Sequence, residues 1–398
     1  MKFDFVTGVL DKNNVAWEVE GEKLFIIIDN EKGELRFNEV ISGAIESFEK
    51  ARQYNFDYDK KILVSYRAVE ILVQRLNQNL FEVPSFEFKS NKSKAVVLSR
   101  STKEFSLGHF QSEDYTAFFK RLVRNRIVRR IKNIGHIDFE MMLWNPITIK
   151  YSLSRKIEAD KMLADAIKCF ESCLFKLAVD HGQAWDLYKK RRSLNTIYNS
   201  DDEIELNIPL GSYDNNLVNY YKVAVSSQFS SQSFLSYYHI LEYNFLSVSE
   251  EELQSKLKAN IQSTNFSGSS KDIESIINVV KKHNDKSDEK DMLNRVLKKY
   301  ISQEELKDFI EDFEKVAGEK YYTKSKKVFG EDLSINIKNE HMFPNTAYTL
   351  KHIRNALVHS SDKYNREDCH IPLTESEDLV SYYVPLVRFL AEKIICAK

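Results

Sequence analysis

Over the first hundred residues the apolar side chains recur at two different periods. From about residue 113 onward they recur almost only at the helical one. That switch limits the fold more than any other feature, because period two marks a strand with one buried face and period 3.6 an amphipathic helix. FDFVTGVL, VAWEVEG, KLFIIID, KKILVSY, FEFKS and KAVVLSR read as strands bounded by Gly, Asn and Asp, whereas NEVISGAIESFEKARQY and AVEILVQRLNQNL read as helices. Residues 1–150 are therefore expected to form an α+β N-terminal domain, with EDYTAFFKRLVRNRIVRRIKNI as a helix near its end. RKIEADKMLADAIKCFESCLFKLAVDHGQAWDLYKKRR predicts one long helix or two split near Gly182. Asp, Asn, Pro and Gly crowd residues 199–216 and predict a linker, so 151–214 reads as helical connector and linker. Residues 215–398 are expected to be mainly α. Their last two helices are TAYTLKHIRNALVH and SEDLVSYYVPLVRFLAEKIICA, and NFSGSSKD and HNDKSDEKD are exposed connections. Sparse punctuation agrees with this reading: 11 Gly and 6 Pro in 398 residues leave little for tight turns.

Charge alone names no partner. With 58 basic and 59 acidic side chains the net charge is −1, so a nucleic-acid footprint has to be a local patch. No apolar run approaches the roughly 20 residues of a bilayer span. The stretch MKFDFVTGVLDKNN places acids and polar groups where a signal peptide is continuously apolar. The chain reads as cytoplasmic and without membrane contact. Cys169, Cys173, Cys369 and Cys396 form no CxxC pair, and Cys169 and Cys173, one helical turn apart, are expected to pack in the core. His181, His283, His341 and His370 are scattered without ligand spacing, so neither metal nor cofactor is expected. The phosphate-cradling GxxxxGK[ST], the GxGxxG fingerprint and the GxSxG elbow are all missing, which leaves nucleotide hydrolysis and serine-hydrolase chemistry unsupported.

The stretch TLKHIRNALVHSSD, residues 349–362, holds the densest chemistry. On a helical wheel Leu350, Ile353 and Leu357 form a narrow apolar stripe, Arg354 flanks it, and Asn355, His352 and His359 lie round the polar side. Arg354 and His359 stand about 140° apart on an ideal helix. A single helix can aim both at one atom only if Arg354 reaches round or if the helix ends near His359. The polar SSD after His359 favours an ending there.

Arg354-Asn355-Ala-Leu-Val-His359 resembles the signature of the HEPN superfamily (higher eukaryotes and prokaryotes nucleotide-binding), an Arg, usually followed by a polar residue, with four to six residues between it and a His; here four intervene. The upstream FLSYYHILEYNFL, residues 234–246, is similar to an early helix of the Apea-like HEPN proteins of bacterial anti-phage defence. The resemblance covers residues 215–398. It implies a HEPN-like helical bundle working as a homodimer through this C-terminal domain, and a metal-independent endoribonuclease activity. RNA, with tRNA among the candidates, would be the substrate. His359 would act as general acid or base. Arg354 would hold the scissile phosphate, and Asn355 would orient either group. It further implies an abortive-infection or toxin effector answering a phage-derived trigger or restrained by a cognate inhibitor. Residues 1–150 would then sense, regulate or bind RNA. Glu242 could pair with Arg354, and Tyr238 stands one turn before it. The alternative, a core Tyr238 and a solvated Glu242, stays open.

A second constellation is KRLVRNRIVRRIK, residues 120–132, with seven cations and no acid. Val123, Ile127, Ile131 and Ile134 give it an apolar stripe. Arg121, Arg124, Arg129 and Lys132 are candidate nucleic-acid contacts. Pairing with acidic neighbours is the alternative. Arg130 and His136 repeat the Arg–His spacing on paper, but Gly135 interrupts the helix between them. Two rival functions remain: a non-catalytic HEPN-like dimerisation or RNA-binding module, and a DNA-binding regulator using this helix.

Overall fold

The computed structural model describes residues 3–50, 55–76, 85–89, 94–189, 213–285, 288–359 and 369–397. It divides the chain into an α+β unit, residues 1–190, and a mainly helical unit, residues 191–398. Residues 151–189 are thus part of the first unit and not a connector. The linker expected at 199–216 lies outside the described residues as far as 212.

The first unit carries two sheets. Helix α1 (Asp4–Lys12) is followed by strands β1 (Ala16–Glu20), β2 (Lys23–Ile28) and β3 (Glu31–Arg36), then helix α2 (Glu39–Lys50). FDFVTGVL is therefore helical, not extended. Its buried residues Phe5, Val6, Val9 and Leu10 lie on one face of a helix, whereas a strand would put Phe5 and Val9 on one face and Val6 and Leu10 on the other. Strands β4 (Asn55–Asp57), β5 (Ile62–Val64), β6 (Ala68–Arg75), β7 (Phe86–Lys89) and β8 (Lys94–Arg100) precede helices α3 (Lys103–Phe110), α4 (Tyr115–Phe118) and α5 (Arg124–Ile134). Strands β9 (His136–Asp138) and β10 (Ile147–Leu153), helix α6 (Ala159–His181) and strand β11 (Trp185–Leu187) complete the unit. One sheet runs β1-β2-β3-β9 and the other β4-β5-β6-β10-β8-β7, with β11 pairing β6. Residues 68–75, expected to be helical, form β6. It pairs with β10 along one edge and with β5 and then β11 along the other. Gly182 caps α6 in a left-handed conformation (φ 63°), and the chain after it pairs as β11 instead of resuming a helix. Met162, Ala166, Phe170, Leu174 and Leu177 of α6 pack on this sheet, with Cys169 and Cys173 at the margin of the same cluster.

Between α4 and α5 the chain makes a π turn, Phe119–Val123. Tyr115, Phe119, Val123, Ile127 and Ile131, spaced by fours, are all buried. In an uninterrupted α-helix that spacing drifts about 40° per step, or about 160° over the five. The wider π turn takes back about one residue's rotation and keeps all five on the core side. Ile134, expected in the stripe, is 46% exposed. Where α5 crosses β3 the partner is Gly33, at which a Cβ would lie 2.6 Å from Ile131 Cγ1.

In the second unit, helices α7 (Asn215–Ser226), α8 (Ser230–Glu242), α9 (Phe245–Ile261), α10 (Ser270–Asp285), α11 (Glu289–Tyr300) and α12 (Gln303–Ala317) lead to a small hairpin, β12 (Lys326–Val328) and β13 (Glu331–Leu333). Helices α13 (Asn339–Val358), α14 (Glu375–Ser381) and α15 (Val384–Cys396) follow. The final apolar stretch is two helices instead of one, interrupted at Tyr382–Tyr383 just before Pro385, which lacks the N–H needed to continue α14. Helix α8 is the hub. Its Phe234, Tyr238, Ile240 and Leu241 are fully buried in a core shared with α11, α12, α13 and α15. No helix among the described residues is long and apolar enough to cross a membrane.

Candidate functional site

Helix α13 carries Leu350 and Ile353 into the core and leaves Arg354 at its margin, one quarter exposed. Two neighbouring helices meet the guanidinium there. Glu242, the last residue of α8, brings Oε1 to 3.3 Å from Arg354 Nη2, and Glu289, the first of α11, brings Oε1 to 3.5 Å from Arg354 Nε. Arg354 Nη1 donates to Asn355 Oδ1 at 3.3 Å. These separations are those of ion pairs and a long hydrogen bond, not of a tight bidentate clasp. Of the five N–H donors of a guanidinium, at least two remain for another acceptor.

Each carboxylate has a second attachment. The hydroxyl of Tyr238, wholly buried in α8, donates to Glu289 Oε1 at 2.9 Å. Burial first, then the charge of Glu289, pushes that phenol far above its ordinary pKa, so it acts as a fixed donor. Glu242 Oε2 lies 2.8 Å from His239 Nδ1, one turn earlier on α8. Glu289 owes its place to the helix start: Asp288 caps α11 by accepting from Asp291 N at 2.8 Å. That bond, joined by Lys351 Nζ at 3.4 Å, holds the Asp288 carboxyl below its usual range.

The structure thus brings Arg354, Asn355, Glu242 and, through Glu289, Tyr238 into one cluster. His359 stands apart. Helix α13 ends at Val358, and His359 takes a non-helical backbone (φ −107°, ψ 81°) while its N–H still donates to Asn355 O at 2.8 Å. Its side chain is exposed and makes no hydrogen bond or ion pair to another described residue. The residues SSD that follow lie outside the described residues. His352, on the same helix, turns instead toward the hairpin and meets Val328 O at 3.0 Å.

Two members of the cluster escaped the sequence reading. His239 stood in plain view three residues before Glu242, a spacing that puts both on one helix face. Glu289 lies in the acidic first turn of a helix announced by Asp288, a capping pattern that was read only as a loop. In the first unit, Arg124 pairs with Asp29 and Lys132 with Glu31 at 3.6 Å, both acids belonging to the β2–β3 hairpin. Arg121 and Arg129 are exposed and have no partner among the described residues. Gly135 ends α5 in the left-handed region (φ 75°), and His136 lies in β9, so Arg130 and His136 share no helix.

No group of three or more His, Cys, Asp or Glu that could hold a metal ion occurs among the described residues. No family model, curated protein or solved structure matches the chain.

Proposed function

We propose that the second unit is a metal-independent endoribonuclease of HEPN type, cleaving RNA as a homodimer, in a cytoplasmic effector of anti-phage defence. One observation carries the reading. A guanidinium held by side chains of two neighbouring helices, Glu242 and Glu289, is followed five residues later by an exposed imidazole where α13 stops. The resemblance of Arg354–Asn355 and His359 to the HEPN signature supports it.

The chemistry needs little else. The RNA 2′-OH is the nucleophile. An imidazole takes its proton as the oxygen bonds to phosphorus, the P–O5′ bond breaks, and the departing 5′ oxygen is protonated. The products are a 2′,3′-cyclic phosphate and a 5′-OH. His359 serves as base or acid, a second copy supplies the complementary group, and Arg354 stabilises charge on the phosphate oxygens. The first unit senses a trigger, restrains the nuclease or binds RNA.

A specific observation also favours a second reading, a non-catalytic dimerisation or RNA-binding module. Arg354 already joins α8, α11 and α13 through Glu242 and Glu289. The deciding experiment incubates the wild-type chain and His359→Ala with total RNA and tRNA in EDTA and maps the fragment ends. Cleavage by the wild type alone, leaving cyclic-phosphate ends, supports the nuclease. Equal behaviour of the two proteins, in RNA cleavage and in toxicity to phage-challenged cells, overturns the nuclease.

A further inference from the structure

We propose that the solvent face of α5 and the π turn before it is a binding surface for the phosphodiester backbone of a nucleic acid, built from Arg121, Arg126, Arg129 and Arg130. Arg121, Asn125, Arg129 and Asn133 each stand two residues after a buried member of the stripe Phe119, Val123, Ile127 and Ile131. That offset places them about 200° away, on the far side of the helix. Arg126 and Arg130 each precede a stripe residue and flank this row on one side. Arg124 and Lys132 each follow one and lie on the opposite flank, where Asp29 and Glu31 neutralise them. The helix therefore sorts its cations: one flank is matched to the hairpin, and the far face carries four arginines and two asparagines with no acid. All six are exposed and have no partner among the described residues.

Arginine presents a planar fork that fits phosphate oxygens, and asparagine can add hydrogen bonds to phosphate or sugar. An anionic membrane is the other large polyanion that such a face could meet. Interfacial helices, however, insert their apolar side, and here Val123, Ile127 and Ile131 are already 0–3% exposed in the core of the unit. A nucleic-acid backbone is matched by the charged face alone. The surface belongs to the first unit, and its binding is measured without reference to cleavage, so it stands or falls separately from the nuclease.

The test uses the full chain carrying His359→Ala, so that strand scission cannot distort binding. Labelled single-stranded RNA, RNA duplex, DNA of the same sequence and phosphatidylserine vesicles are titrated over a series of salt concentrations. Nucleic-acid affinity should fall linearly on a log–log plot. Replacing the four arginines by Gln, which has similar helix propensity, should weaken single-strand binding at least about tenfold and lower the slope by about 3, four contacts at about 0.7 each. Arg124→Gln with Lys132→Gln should cost less than about threefold. Preference among RNA, duplex and DNA identifies the source of the backbone. The proposal fails if the wild-type face binds no nucleic acid, if it binds only vesicles, or if the quadruple variant keeps its affinity and slope. Equal losses in the paired and unpaired sets overturn it too. Should circular dichroism show the quadruple variant unfolded, Arg126→Gln with Arg129→Gln decides alone, an unchanged slope being fatal.

Discussion

Glu242 stands between Arg354 and His239, 3.3 Å from the guanidinium through one oxygen and 2.8 Å from the imidazole through the other. One carboxylate therefore couples a permanent cation to a side chain of the type that changes charge near neutral pH. The exposed His359 has no such partner among the described residues. Two imidazoles are thus available to the proposed chemistry, and they differ in how firmly they are held.

His359→Ala is expected to abolish RNA cleavage, and His239→Ala to slow it while leaving cyclic-phosphate ends. Fragment mapping with both variants separates the roles. If His239→Ala alone is dead, proton transfer belongs to α8 and not to the end of α13.

Arg354→Ala should remove cleavage and also leave Glu242 and Glu289 without their shared cation. The site is about one quarter exposed, so the stability cost is expected near 1 kcal/mol, between that of a surface pair and a buried one. Urea unfolding of Arg354→Ala, Glu242→Ala and the double variant measures the coupling; strict additivity would show that the ion pair contributes nothing.

Tyr238→Phe keeps the ring in the core and deletes only the hydroxyl bonded to Glu289. A loss of about 1 kcal/mol is expected from the hydrogen bond. Comparing its urea midpoint with that of Tyr238→Ala distinguishes the bond from the ring, whose removal should cost about 3–5 kcal/mol.

Two buried glutamates should give the units opposite pH responses. In the second unit, burial raises the Glu377 pKa, but the His370 imidazole 3.1 Å away and hydrogen bonds from Ser231 outweigh it and hold the carboxyl below its usual range. The folded state then binds fewer protons than the unfolded one. The stabilisation is complete above the unfolded value near about 4.3 and is lost as pH falls below it. In the first unit, burial of Glu70 outweighs its bonds from Thr102 and Thr148 and raises its pKa. Stability there should decline as pH rises from about 4.3 toward the folded value. Hydrogen exchange of peptides from each unit, with Glu377→Gln and Glu70→Gln, reads the two trends; a slope unchanged by its own substitution refutes that assignment.

Gly33→Ala should destabilise the first unit by about 1–3 kcal/mol, because the new methyl meets Ile131 at 2.6 Å where α5 crosses β3. Combining it with Ile131→Val should recover part of the loss. A thermal melt that is unaffected by the single change would mean that the helix shifts freely on the sheet.

Much of this organisation was legible in the sequence. The change of period near residue 113 marks the helix over Tyr115–Ile134, and the apolar frame of Leu350, Ile353 and Leu357 predicted α13. The failures have physical causes. Strand β6 is buried on both faces, so its apolar residues do not alternate, and a mostly apolar stretch of this kind, broken only by the buried Glu70, does not distinguish a central strand from a buried helix. Helix α1 was mistaken because a handful of closely spaced apolar residues fits either period. Within the site, Arg354, Asn355 and Glu242 were foreseen, whereas Glu289 enters through a tertiary contact between α11 and α13 that no local pattern records.

The π turn at Phe119–Val123 has the form of an α-helix that has taken in one additional residue. Removing a residue there would let the turn close as α and leave Ile127, Ile131 and the arginines beyond them aimed as they are. Removing one from α5 itself would swing every later side chain by about 100°. Chain length along this helix is therefore negotiable at one turn and fixed at the rest, and related chains that differ by a single residue here could still present the same face to solvent.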